Sequence, residues 1–179
     1  MKYEIVLDED APNPREENRN IGTILYHSHH YDLGDRFATV KEIQDIIRDE
    51  NVLYLPVYAL VHSGIELSTS PFNDPWDSGQ SGIIYIKKDD AKKLWAKKEW
   101  SDDLRDPIEK ALRQEVEEFG AYLAGRVYGW RILDDSGNVL DASYGYYSEN
   151  EAEEDAKLAL EVLRAEKARR EDSLAEYGG

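Results

Sequence analysis

Apolar residues recur along this chain with two different periods, and the changes of period mark its elements. The opening "KYEIVL" and the later "IGTILYHSHHY" are β-prone runs, separated by "DEDAPNPREENRN", whose prolines and charges read as a loop. In "TVKEIQDIIRDE" the period becomes helical: Val40, Ile43, Ile46 and Ile47 share a face behind Thr39 and Glu42, which stand at capping-box spacing. "NVLYLPVYALVHSG" and "GIIYIKK" are rich in β-branched and aromatic residues and read as strands, with Pro56 calling for an edge position or a bulge. Asp89 or Asp90 is placed to cap a short helix through Leu94 and Trp95.

The clearest amphipathic helix follows, with Leu104, Ile108, Leu112, Val116, Phe119 and Leu123 recurring every three to four residues. Asp106-Pro107 has the form of a cap followed by proline at the first helical position. "RVYGWRILDDSGNVLDASYGYY" holds two β-like runs around Asp135-Ser136-Gly137-Asn138, a hairpin signal. Ser148 and Glu151 repeat the capping-box spacing, and Ala152, Ala156, Ala159, Leu160 and Leu163 give the last helix its apolar face. Residues 166–179 lose that face and are expected to fray. The pattern predicts an α+β fold: a mostly antiparallel sheet of about five to six strands against about three main helices, in a single domain over residues 1–165.

Composition narrows the chemistry. The chain has no cysteine, which removes disulfides, thiolate catalysis and cysteine-bound metal. No apolar run reaches the length of a membrane span, and the first residues lack the form of a signal peptide. The expected location is the cytoplasm. The 38 acidic and 22 basic residues leave a net charge of −16, a poor match for nucleic-acid phosphates and a good one for a basic protein surface.

The acids are concentrated. Residues 134–161 hold nine against Lys157 alone, and residues 99–125 hold eight against three bases. Two acidic helices on one sheet would present Glu115, Glu117, Glu118, Glu149, Glu153, Glu154 and Asp155 as a row of carboxylates resembling duplex phosphates. Acids in a first helical turn also have a local explanation, because they favour the positive end of the helix dipole. Six lysines between 87 and 98 read as a solvated helix face.

Two constellations invite a chemical reading. "YHSHHYD" places His27 and His29 on one face of a strand with Asp32 near, but no second ligand cluster follows and no metal or cofactor is called for. The segment "HSGIELSTSPFNDPWDSGQSG" offers His62, Ser63, Trp76, Asp77 and Gln80. Adjacent His62 and Ser63 point to opposite sides of a strand, poor geometry for a base and nucleophile, so no catalytic residue is assigned. Asp77-Ser78-Gly79 is a turn formula. Trp76 is a large apolar anchor that either pins the loop to the core or meets a partner, and the pinned crossover is the expected form.

"LPVYALVHSGIELSTSPFNDPWDSGQSGIIYIKK", "EVEEFGAYLAGRVYGWRI" and "LDASYGYY" resemble blocks of a family of small uncharacterised proteins from bacteriophage, prophage and plasmids. The resemblance covers roughly residues 50–147 and has the form HSGIxLSTxPFxxPWDSGQxGxIY. Such relatives often carry cysteine before the Pro-Trp-Asp-Ser-Gly turn and in the later block, where this chain has Asp74 and Ala142-Ser143-Tyr144. The resemblance implies a mobile-element origin and the cytoplasm of an infected or lysogenic bacterium; it implies no activity. The expected function is an acidic, non-enzymatic binding protein that blocks a host nucleic-acid-handling defence protein, such as a CRISPR or restriction nuclease. A small metal-dependent or hydrolytic enzyme using His62 and Asp77, and an accessory protein of a phage assembly, are the alternatives. The expected partner is a host protein with a basic, nucleic-acid-binding surface, with a homo-oligomer left open; direct nucleic-acid binding and membrane attachment are not expected.

Overall fold

A computed structural model describes residues 1–17 and 19–177, the side chains of 174–177 excepted. In chain order the elements are β1 (Lys2–Leu7), β2 (Thr23–Tyr26), β3 (Arg36–Phe37), α1 (Val40–Ile47), β4 (Val52–Val61), β5 (Ile65–Ser68) and β6 (Ser78–Lys87), followed by α2 (Lys88–Leu94), α3 (Arg105–Leu123), β7 (Tyr128–Leu133), β8 (Val139–Tyr146) and α4 (Glu149–Tyr177). The fold is α+β and mostly antiparallel, with the strands divided between two sheets rather than joined in one. The chain forms two compact units, one made of residues 1–11 and 125–179, the other of residues 12–124.

The larger unit carries five strands in the order β3-β2-β6-β4-β5. Its central strand β6 is covered on both faces, which explains why "GIIYI" is almost continuously apolar. Ile84 and Ile86 meet Ile108, Leu112, Val116 and Phe119 of α3, while Ile83 on the other face meets Ile43 of α1. Thr39 caps α1 as expected, accepting from the Glu42 amide at 3.2 Å. Pro56 lies in the part of β4 that β5 leaves unpaired, beside a bulge between Val57 and Tyr58. Both ways of accommodating a strand proline therefore occur together. Gly82 cannot be replaced: a Cβ there would lie 1.8 Å from the Leu25 carbonyl oxygen.

Two helix starts differ from expectation. Asp89 and Asp90 do not cap α2; the helix starts earlier, at Lys88, and they occupy its first turn. Likewise α3 begins at Arg105 behind a 3₁₀ turn at Asp102–Leu104, so Asp106 and Pro107 lie inside its first turn. Proline costs no hydrogen bond there, because first-turn amides have no intrahelical partner.

In the smaller unit β7 runs between β1 and β8. Ala156 and Leu160 of α4 pack on Trp130 and Ile132 of β7, with Tyr3 and Ile5 of β1 at the margin, and Ala152 is fully buried. The β7–β8 hairpin closes through Asp134, whose carboxylate accepts from the amides of Ser136 and Asn138, each at 2.8 Å. Gly137 supplies the left-handed residue of that turn, at φ +87°. Helix α4 then extends to Tyr177, with residues 164–173 all exposed; residues 178–179 of the segment expected to fray lie outside the described residues.

Candidate functional site

The segment 62–82 is less of a loop than its composition suggests. Ile65–Ser68 forms β5 against β4, and β6 begins at Ser78, leaving residues 69–77 as the connection. Pairing of Leu60 with Ser78 brings the two ends together, and the Val61 amide donates to the Asp77 carbonyl at 2.9 Å. His62 and Asp77 thereby meet across the strand ends, with Nδ1 2.7 Å from Asp77 Oδ2. A carboxylate only accepts, so Nδ1 carries the proton and Nε2 faces outward. The His62 imidazole makes no other hydrogen bond among the described residues, and its backbone amide donates to the Gly64 carbonyl at 3.2 Å.

Asp74 fixes the turn. Its Oδ1 accepts from the amides of Trp76 at 2.9 Å and Asp77 at 3.1 Å, while the Ser78 hydroxyl donates to its carbonyl. Those bonds, Asp77's first and Trp76's second, hold the Asp74 carboxyl below its ordinary pKa, with His62 adding a smaller electrostatic contribution in the same direction. Thr69 is tied to α3 by Arg113 at 3.2 Å, and Ser68 accepts from the Ser70 amide at 3.0 Å. On this braced backbone Trp76 is 92% exposed. The expected pinning to the core does not occur: local hydrogen bonds hold the loop and its indole points into solvent. Ser63 is exposed at the hairpin end, and Gln80 donates to the Gly82 carbonyl at 3.3 Å.

The histidine cluster disperses. His27 Nε2 lies 3.0 Å from the Gln80 carbonyl, His29 packs on Phe37 at 4.8 Å, and Asp32 accepts from the Tyr26 hydroxyl at 2.7 Å. Among the described residues, no three His, Asp or Glu side chains are placed to hold a metal ion.

The predicted row of carboxylates also divides. Helix α3 packs on the five-stranded sheet and α4 on the three-stranded one, so the two acidic helices do not share a sheet. Glu115 is 11% exposed and belongs to an internal clamp centred on Arg15, which is 4% exposed. Arg15 holds Asp35 with Nε at 2.9 Å and Nη2 at 2.7 Å, and Glu115 with Nη1 at 2.7 Å. It also donates to Asn20 Oδ1 at 3.1 Å and to the Gly22 carbonyl at 2.8 Å. Glu115 accepts from the Ile21 amide at 2.6 Å and Asp35 from that of Ile24 at 2.7 Å. Burial alone would lower the Arg15 pKa; bonds from Asp35 and then Glu115 outweigh it and the net shift is upward.

Glu118 is largely covered between Arg19 and Gln114, both at 2.9 Å. In the smaller unit Glu153 holds Tyr3 and Lys157, and Asp155 accepts from Trp130 Nε1 at 3.0 Å and from the Tyr146 hydroxyl. Glu117, Glu149 and Glu154 remain exposed. Four of the seven predicted surface acids therefore have structural partners. One surface feature had no counterpart in the sequence pattern: an open groove of about 780 Å³ lined by Leu7, Asp8, Glu9, Asp10, Arg131 and Tyr144 among others. Comparison of the chain with family models, curated proteins and solved structures gives no match.

Proposed function

We propose that this chain is a protein-binding protein whose recognition element is the 69–77 loop, with Trp76 as its anchor. The exposed indole on a backbone fixed from both sides is the observation that carries this reading. A tryptophan on a backbone already held in place has only its side-chain freedom to lose on binding and buries a large area, the usual character of an interface hot spot. The net charge of −16 favours a basic partner. With the sequence resemblance to phage and plasmid proteins, the partner class is a nucleic-acid-handling defence protein of the bacterial host. The expected mode is a tryptophan-anchored contact steered by charge, without an unbroken row of phosphate-like acids.

Immobilised wild-type and Trp76→Ala proteins, challenged with host lysate at low and high salt, test this. The expected result is a nucleic-acid-binding protein retained by the wild type, released by high salt, and at least roughly tenfold less retained by Trp76→Ala. Equal retention by both proteins removes the anchor role, and retention indifferent to salt removes the charge component.

The His62–Asp77 contact favours a second reading, because a carboxylate-oriented imidazole with an outward Nε2 is the arrangement of a general base. A hydrolytic activity abolished by both His62→Ala and Asp77→Asn would establish it in place of the first.

A further inference from the structure

We infer that α4 pairs with α4 of a second copy of this chain, antiparallel, about a two-fold axis between Leu158 and Val162. Leu158 is 63% and Val162 57% exposed, on a side of the helix away from the Ala152–Ala156–Leu160 face that covers the sheet. At 100° per residue, Glu151, Leu158, Val162, Ala165 and Arg169 fall within an arc of about 60°. They form one continuous stripe.

The order of that stripe chooses the partner. Its spacing is seven residues from Glu151 to Leu158, four to Val162 and seven to Arg169, so it reads the same from either end while the charge changes sign. A reversed second copy therefore sets Leu158 against Val162 twice and Glu151 against Arg169 twice. A parallel copy would instead oppose Glu151 to Glu151 and Arg169 to Arg169. The wider sequence has the same polarity: residues 149–161 hold six acids and one lysine, and residues 164–170 hold four bases and one acid. This self-complementarity under a two-fold axis is what an isologous interface requires.

The length of α4 points the same way. Among the described side chains Leu160 is its last buried residue and Leu163 its last half-buried one, yet helix continues to Tyr177. Residues 164–173 are all exposed, with Arg164 donating to the Met1 carbonyl at 3.1 Å, and a helical end so lightly covered is marginal in water. The acidic first half of a partner helix would both cover it and match its charge. This inference is independent of the role given to Trp76, which lies in the other unit.

Sedimentation equilibrium over a range of concentrations tests it first. The expected mass rises from 20.6 kDa toward twice that value, and Val162→Glu weakens association at least roughly tenfold while leaving the near-ultraviolet circular dichroism of the packed aromatic residues unchanged. A mass of 20.6 kDa throughout, or a Val162→Glu protein that associates like the wild type, overturns the proposal. Orientation is read by cross-linking, since the chain has no native cysteine to interfere. Mixed Glu151→Cys and Arg169→Cys proteins are expected to form mainly the mixed disulfide. A predominance of Glu151→Cys homodisulfide would mean parallel pairing and overturn the antiparallel assignment.

Discussion

Two ion pairs in this protein share a closest approach of 2.7 Å and have opposite meanings. Arg15 sits out of solvent between Asp35 and Glu115, with its remaining donors on Asn20 and a backbone carbonyl. His62 and Asp77 meet in the open, 77% and 40% exposed, and the imidazole has no second hydrogen-bond partner among the described residues. In the first case, removing any member strands charge in a low-dielectric setting. In the second, water replaces a lost partner almost without cost. Distance alone does not distinguish a fastener from a surface contact; burial and the number of further bonds do.

The largest expected effect tests the buried half of that contrast. Arg15→Ala leaves the Asp35 and Glu115 carboxylates facing each other without their cation, and should lower stability by about 3–5 kcal/mol. Urea unfolding followed by circular dichroism gives the number. A loss below about 1 kcal/mol would place the clamp in the same class as the surface pair. Glu115→Gln keeps an acceptor for the Ile21 amide and should cost less, about 1–3 kcal/mol.

The clamp was also the least legible feature of the sequence. Arg15 meets Asp35 across 20 residues and Glu115 across 100, and it lies in a stretch whose prolines and charges read as an unremarkable loop. One local signal was present: Glu115 falls between Leu112 and Phe119, at the margin of the buried α3 stripe rather than opposite it. The stripe itself was readable because helical period depends only on neighbours in sequence. The division into two sheets was not, since β1 belongs with β7 and β8 only through pairing across more than a hundred residues. Strand β5, four residues of "IELS", is too short to show a period, which made the 62–82 segment look like one long loop. His62 and Asp77 were readable as candidates. That they touch, and that Trp76 is exposed instead of pinned, depended on strand register and on Asp74.

An intermediate case sharpens the comparison. Asp155 is partly covered and accepts from Tyr146 and Trp130. Those bonds, Tyr146's first and Trp130's second, hold its pKa below the ordinary carboxylate value. Trp130→Phe deletes the indole donor and should cost about 1–3 kcal/mol in thermal or urea unfolding. The sign of the pH dependence follows from the depressed folded pKa. Asp155 contributes its stabilisation fully above the unfolded-state value and loses it as pH falls through the lower folded one. Trp130→Phe should therefore flatten the acid limb of the stability profile, and an unchanged limb would separate Asp155 from that bond.

The exposed pair gives a smaller effect. His62→Ala should change unfolding stability by no more than about 0.5 kcal/mol at neutral pH. A loss above about 1 kcal/mol would mean that the hairpin ends depend on this contact and would erase the contrast with Arg15.

The smallest effect on global stability, and the most informative for the loop, is expected from Asp74→Ala. Asp74 is half-buried and belongs to none of the apolar clusters, so unfolding should scarcely register its loss; yet its side chain holds two consecutive amides at Trp76 and Asp77. Amide exchange should therefore quicken at Trp76 and Asp77 while the β4 and β6 amides keep their protection. In the wild type, acid should lower the protection of the same two amides, each rate being referred to the intrinsic exchange rate at that pH. With its folded pKa depressed, Asp74 braces the turn above the unfolded carboxylate value and releases it as pH drops through the folded one. If exchange at the two amides stays slow in both experiments, the turn is held by the Ser78 hydroxyl and strand pairing alone, and Trp76 owes its fixed presentation to β4 and β6 instead.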